Sequence, residues 1–161
     1  MGKENILLVL WIIFGFTFVS AIDSILYFLI HVIYFDTSEL GLSITFLTYF
    51  IPIITILSYL LTLLFILKKI KTNSNSEGIY LTSFPKKAFI FLLILVLLLK
   101  PIASKLSGLY AEYYVSTLDI TANDYLNFYG WMHATLAISR WGSIIILGFI
   151  YLKKYQSLKL K

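Results

Sequence analysis

Four long apolar runs constrain this chain more than any other feature of its sequence. Each run contains at least the roughly 20 residues that a helix needs to cross the hydrocarbon core of a bilayer. Because lipid offers no hydrogen-bond partners to an open backbone, each run must be helical. The sequence therefore predicts one all-α domain over residues 1–161, a polytopic transmembrane helical bundle with spans at about 6–35, 42–67, 88–110 and 125–152.

The composition supports this prediction and excludes several classes of function. Hydrophobic residues make up 60% of the chain and charged residues only 13%, whereas a soluble domain carries about 25% charged residues. The chain has no cysteine, so it can form no disulfide, thiolate nucleophile or Cys-ligated zinc site. The net charge of +5 comes from cations beside the apolar runs. Membrane topology produces this pattern, so we predict membrane lipids as partners and no nucleic acid.

The charges of the connecting segments predict the orientation of the chain. The first and third connections contain acidic residues and no cation: Asp36, Glu39, Glu112, Asp119 and Asp124. Lysines dominate the second connection and the C-terminal tail: Lys68, Lys69, Lys71, Lys86 and Lys87, then Lys153, Lys154, Lys159 and Lys161. The positive-inside rule then places the second connection and both termini in the cytoplasm. Val19-Ser20-Ala21 resembles a signal-peptide cleavage site, but apolar character continues to Phe35 and predicts an uncleaved first span.

Six ionisable residues fall inside the predicted spans, where such residues are rare and by default indicate function. They are Asp23, His31, Lys100, Lys105, His133 and Arg140. At 1.5 Å per residue, Lys100 and Arg140 lie about 18 Å from the cytoplasmic ends of their helices, near the midplane. Asp23 lies about 27 Å along the first helix, nearer the outer surface, and Lys105 lies at a similar outer depth.

Polar residues recur at helical spacing in every run and predict that each helix has one polar side. Since lipid penalises polar surface, these sides should face one another. The residues are Thr17, Ser20, Asp23, Ser24, Tyr27, His31 and Tyr34 in the first run, and Thr48, Pro52, Thr55, Tyr59 and Thr62 in the second; Lys100, Ser104 and Ser107 follow in the third, and His133, Arg140 and Ser143 in the fourth.

The charges inside the spans do not balance. Asp23 supplies one negative charge against the positive charges of Lys100, Lys105 and Arg140. Glu112, a bound anion, a lipid phosphate or water would meet the surplus, unless Lys105 snorkels to the outer headgroups. One interpretation of the cluster is a structural link between helices. Another is a site for an anionic group anchored by Arg140, and a third is a proton relay through Asp23 and His31.

His31 and His133 fall in the same outer half of the predicted bundle. Two imidazoles on different helices are too few for a metal or haem site unless Asp23 or Glu112 joins them. We therefore predict no metal and no cofactor, and expect histidines hydrogen-bonded to their neighbours.

The missing catalytic motifs favour a non-enzymatic protein. The sequence contains no His-Glu-x-x-His, no Gly-x-Ser-x-Gly and no phosphate-binding loop. We expect an accessory, regulatory or immunity-type subunit that acts through helix packing, either as a homo-oligomer or with a membrane protein partner. Two alternatives are an oligomeric channel or transporter for an anion or proton, using Asp23, Lys100 and Arg140, and a lipid-binding or lipid-modifying protein. The bias towards Lys, Asn, Ile and Phe is typical of low-GC bacterial genomes and predicts a bacterial inner membrane.

Overall fold

A computed structural model of the chain describes residues 3–41, 44–72, 84–117 and 122–159. These residues form four α-helices: α1 (Lys3–Glu39), α2 (Ile44–Thr72), α3 (Lys86–Thr117) and α4 (Ala122–Lys159). Each helix contains a segment long and apolar enough to cross a membrane: Leu8–Glu39, Thr45–Lys68, Lys86–Tyr113 and Tyr125–Lys153. The prediction of four apolar helices is confirmed, and the fold is that expected of a multi-pass membrane protein.

The first helix continues past Phe35, where the apolar run that predicted it ends. Its last turn is polar, and the hydroxyl groups of Thr37 and Ser38 donate to the carbonyls of Ile33 and Tyr34, at 2.6 and 2.8 Å. The helix ends where Gly41 adopts a positive φ of 65°, the left-handed conformation that commonly follows a helix C-terminus. Local hydrogen bonding therefore sets this end, rather than hydrophobicity.

Two prolines lie inside helices. Pro52 lies within α2 and Pro101 within α3. Each lacks a backbone N–H, which a membrane helix tolerates when neighbouring groups satisfy the freed carbonyl. Neither proline ends its helix.

The first helix is the centre of the packing. It contacts α2, α3 and α4, and α2 also packs against α4, whereas α3 packs mainly against α1. The difference appears in burial, since 39% of an 18-residue apolar stretch in the candidate span of α1 is buried inside the protein, against 11% of such a stretch in α3. Most of the apolar surface of α3 is therefore left uncovered by the rest of the chain.

The helix ends are grouped at two ends of the molecule. The ring of Trp11 lies 6.0 Å from that of Phe84, and its carbonyl accepts a hydrogen bond from Tyr151 at 3.1 Å. These contacts bring together the first half of α1, the start of α3 and the end of α4. At the opposite end, Phe35 stacks on Tyr110 with ring centroids 4.5 Å apart.

The polar sides predicted from the sequence are buried in part. Asp23, Ser24, Tyr27, His31 and Tyr34 of α1 are buried, as are Thr55, Tyr59 and Thr62 of α2 and Ser107 and Ser143 of α3 and α4. Lys100 and Ser104 of α3 are exceptions, because both are exposed. Ala103 and Ser107, one turn apart, occupy the buried side of α3, and Ser104 is rotated about 100° from Ala103.

Candidate functional site

Asp23 lies near the middle of α1 and is the most buried of the charged residues predicted inside the spans. It stands almost midway between Leu8 and Glu39, the two ends of the candidate span. Its side chain is only 6% exposed. Asp23 is therefore closer to the centre of its span than the sequence predicted, because the helix continues to Glu39 and shifts the midpoint of the span towards it.

The other three helices each donate a hydrogen bond to the Asp23 carboxylate. The Tyr59 hydroxyl of α2 donates to Oδ1 at 2.8 Å. The Lys100 Nζ of α3 and the Arg140 Nη1 of α4 donate to Oδ2 at 3.2 and 3.4 Å. We call Asp23, Tyr59, Lys100 and Arg140 the Asp23 junction. It ties all four helices to a single acidic side chain.

Both cations of the junction also lie near the middle of their candidate spans. Lys100 stands almost midway along Lys86–Tyr113, and Arg140 almost midway along Tyr125–Lys153. At 1.5 Å per residue, each cation lies about 20 Å from either end of its span. The junction therefore occupies the middle third of the helices.

The positive side of the junction is open while the negative side is closed. The side chains of Lys100 and Arg140 are 46% and 28% exposed. The Arg140 guanidinium also lies 5.5 Å from the ring centroid of Trp141, within the range of a cation–π contact. One carboxylate faces two cations, so the junction has a surplus of one positive charge on its exposed side.

The chemistry available to the junction is that of cationic side chains that can bind an anion, rather than that of a general base. Both carboxylate oxygens of Asp23 already accept hydrogen bonds, from Tyr59 at Oδ1 and from Lys100 and Arg140 at Oδ2. Lysine carries three N–H donors and arginine five, and each directs one at Asp23 in the contacts described. The remaining donors suit a carboxylate or phosphate oxygen.

Lys105 does not join the junction. It is exposed, and no ion pair to it is found within the described ranges. Its position along the chain places it at a rotation of about 140° from Lys100 around the helix. Glu112 is likewise exposed near the end of α3. The structure thus brings together Asp23, Lys100 and Arg140 and leaves Lys105 on another side of its helix.

The two histidines lie in a tyrosine cluster that continues from the junction towards the end of α1. The rings of Tyr27 and His31 are 4.3 Å apart, those of Tyr129 and His133 are 4.2 Å apart, and Tyr27 lies 5.4 Å from His133. The hydroxyls of Tyr27 and Tyr129 are 3.4 Å apart. Nδ1 of His31 lies 2.7 Å from the Tyr27 carbonyl, which requires that this nitrogen carries the proton.

No hydrogen bond joins the tyrosine cluster to Asp23 in the part of the chain that the structure describes. Nε2 of His31 and Nε2 of His133 are buried, and neither has a hydrogen-bond partner among the described residues. Those residues also contain no group of three or more His, Asp or Glu side chains placed to hold a metal ion. The contacts of His31 and His133 are aromatic, apart from the bond of His31 to its own helix.

Two cavities lie on either side of α1, away from the junction. One of about 100 Å³ lies between α1 and α3 and is lined by Phe28, His31, Phe35, Ala103, Leu106 and Tyr110, among others. The other, of about 290 Å³, is an apolar groove between α1 and α4, lined by Leu8, Ile12, Gly148, Tyr151 and Leu152. Neither is lined by Asp23, Lys100 or Arg140.

Comparison with protein-family models, curated proteins and solved structures finds no match to this chain.

Proposed function

We propose that this chain is a non-enzymatic, multi-pass membrane protein that works as an accessory-type subunit by assembling laterally with another membrane protein. The surplus positive charge of the Asp23 junction is the observation that carries this proposal. Charge inside a membrane is costly unless it is paired. Lys100 is half exposed, so its uncovered side requires a counter-charge from outside the chain.

The packing of α3 supports lateral assembly. This helix contributes the cation that is most exposed, and it has the smallest buried share of the four candidate spans. Its large exposed side chains include Ile90, Phe91, Ile94, Leu97, Leu98 and Ile102. A partner helix therefore has a long apolar surface on which to pack, with a charge in its middle.

The proposed setting is a bacterial inner membrane, with both termini in the cytoplasm. Contacts of Trp11 place the first half of α1, the start of α3 and the end of α4 at one end of the molecule. Lys86, Lys87 and Lys153 belong to that end, whereas Asp36, Glu39 and Glu112 belong to the other. This separation of charge is what the positive-inside rule requires of a cytoplasmic and an outer end.

Native mass spectrometry of the full chain, extracted from its own membranes in mild detergent, tests the proposal. We expect a complex of fixed stoichiometry with a different membrane protein. A bare monomer, or a monomer that carries only a stoichiometric anionic lipid, would contradict it. A ring-sized homo-oligomer would favour a channel instead.

An oligomeric channel or transporter for an anion is the second candidate, because two cations lie at the middle of the spans. A proton pathway is less well supported, since the Asp23 carboxylate is held by three donors. Liposomes that contain the purified chain would show anion flux that falls in Arg140→Ala. Equal flux in the wild type and the variant would contradict the role assigned to Arg140, and no flux in either would contradict this candidate. A lipid-binding role would use the same cations and is distinguished by the bound lipid in the mass spectrum.

A further inference from the structure

The counter-charge for the junction is not present in a second copy of this chain. The sequence has eight acidic residues, and Asp23 alone lies near the middle of a candidate span. That carboxylate is buried and already accepts three hydrogen bonds. Five of the others lie near helix ends, far from the level of Lys100: Glu4, Asp36, Glu39, Glu112 and Asp124. Glu77 and Asp119 belong to the sequence segments between the apolar runs.

The depth of Lys100 argues against a lipid headgroup as the counter-charge. The hydrocarbon core is about 30 Å thick, so headgroup phosphates lie about 15 Å or more from the midplane. Lys100 lies near the middle of its candidate span, almost equally far from Lys86 and Tyr113. A phosphate would have to leave the interface to reach it. A carboxylate on a transmembrane helix is at that depth already.

An exposed row of side chains on α3 gives a helix the surface it needs to reach Lys100. Residues at spacings of three and four lie on one side of a helix. This row consists of Leu93, Leu97, Lys100, Ser104 and Gly108, and all five are exposed. Ser104 and Gly108 are small and permit close approach of a second backbone. Lys100 is the only charge in the row, and we call these five residues the α3 docking row.

We propose that the α3 docking row binds a transmembrane helix of a different protein that carries an Asp or Glu near its middle. The partner carboxylate accepts hydrogen bonds from the N–H groups of Lys100 that Asp23 leaves free, and it neutralises the surplus charge shared with Arg140. This inference rests on the proposed accessory function and names the chemistry of the partner. Specificity arises because a neutral helix would leave the charge uncompensated.

The test measures association of the full chain with a synthetic helix in phosphatidylcholine vesicles, by energy transfer between fluorophores. The synthetic helix is a polyleucine segment with flanking lysines and a single Asp at its centre. The matched helices carry Asn at the centre, or Asp two turns nearer one end. We expect the central Asp to strengthen association about three- to twentyfold over Asn, which is the range of polar contacts between membrane helices.

Three lysine variants assign this preference to the docking row. Lys100→Met is expected to abolish the preference for the central Asp. Lys105→Met is the matched control, because Lys105 is an exposed lysine of the same helix that lies outside the junction. It should keep the full preference. Lys100→Arg retains a cation and should keep most of it, so the test remains decisive if Lys100→Met fails to fold.

Several results would overturn the inference. Equal association of the Asp and Asn helices would show that charge does not select the partner. An unchanged preference in Lys100→Met, or an equal loss in Lys105→Met, would show that the docking row is not the site. Binding of a spin-labelled anionic lipid that depends on Lys100, without competition from the Asp helix, would assign the cation to a headgroup. Native mass spectrometry separates this from the proposed function, because a heteromer that persists in Lys100→Met rejects the inference alone.

Discussion

Asp23 compensates two cations, so its removal should cost more than the removal of either cation. Asp23→Asn leaves Lys100 and Arg140 facing each other in a region of low dielectric, and we expect a loss of about 2–4 kcal/mol in the free energy of unfolding. Lys100→Met leaves a neutral pair of Asp23 and Arg140, and should cost less than about 1 kcal/mol. Unfolding in mixed micelles measures both values. Equal losses would mean that the surplus charge is already compensated.

A double-mutant cycle tests whether the charges act on each other directly. In Asp23→Asn, a further Lys100→Met removes one of the two stranded cations, so part of the lost stability should return. Lys105→Met in the same background is the control, and should return nothing because Lys105 is outside the junction. No recovery with Lys100→Met would indicate that Lys100 and Asp23 do not interact in the membrane.

Tyr59 contributes a hydrogen bond that the sequence did not single out. Its hydroxyl is 2.8 Å from Asp23 Oδ1, and the residue is buried. Tyr59→Phe removes this donor and keeps the ring, so we expect a loss of about 1 kcal/mol in the free energy of unfolding. Tyr49→Phe is the matched control on the same helix, because Tyr49 is 73% exposed. A loss equal to that of the control would mean that the hydrogen bond from Tyr59 to Asp23 does not stabilise the protein.

At the level of single residues, the sequence predicted which charges fall within the spans but not which of them meet. Helical spacing places Lys100 and Lys105 on different sides of α3, but it does not say which side faces α1. Helix packing decides which side of α3 faces α1. Ala103 and Ser107 lie on the buried side of α3, and with α3 in this rotation Lys100 reaches Asp23. For the same reason, the sequence did not show that Ser104, which shares a side with Lys100, is exposed. The sequence did place Tyr59 on the polar side of α2, the side that Thr48, Thr55 and Thr62 mark by recurring every seven residues.

The contact of α1 with α4 depends on a glycine. A Cβ atom added at Gly15 would lie 2.7 Å from the Tyr151 hydroxyl oxygen, which donates to the Trp11 carbonyl at 3.1 Å. Gly15→Ala must therefore displace the Tyr151 ring and its hydrogen bond. We expect a loss of about 1 kcal/mol in the free energy of unfolding, despite the higher helix propensity of alanine.

Removing the Tyr151 hydroxyl should relieve the Gly15→Ala defect. The next atoms of the Tyr151 ring lie 3.5 Å from the added Cβ, an ordinary contact distance. The loss caused by Gly15→Ala should therefore shrink in a Tyr151→Phe background. Gly142→Ala serves as the control, because nothing lies within 4 Å of its added Cβ, and it should stabilise the helix. A Gly15→Ala loss that persists unchanged with Tyr151→Phe would refute the steric explanation.

At the level of helices, hydrophobicity predicted the spans but neither their ends nor their neighbours. The end of α1 is set by Gly41, which has a positive φ and whose N–H donates to the Ser38 carbonyl at 3.1 Å, a feature that hydropathy does not detect. Which helices pack together depends on side-chain shape on four apolar surfaces of similar composition. The opposite charges of Asp23 and Lys100 favour a contact of α1 with α3 over one of α2 with α3, but nothing in the sequence indicates how little of α3 the other helices cover.

At the level of the whole molecule, two asymmetries coincide. Burial is concentrated on α1, while α3 is left largely uncovered, and the more exposed of the two junction cations lies on that helix. A protein that used its charges only to hold itself together would need no surplus and no exposed cation. A partner helix with an acidic residue would cover the exposed apolar surface and neutralise the surplus charge.

The orientation of the chain can be measured with single cysteines, because the natural sequence has none. Leu40→Cys and Ser116→Cys lie at the acidic end, and Gln156→Cys and Lys87→Cys lie at the basic end; all four positions are exposed. We expect a membrane-impermeant thiol reagent to label the first pair in intact cells and the second pair only after permeabilisation. The reverse pattern would overturn the orientation but leave the mid-span junction in place. Labelling that separates positions 87 and 156 would contradict the helix arrangement itself, since Trp11 contacts both Phe84 and Tyr151.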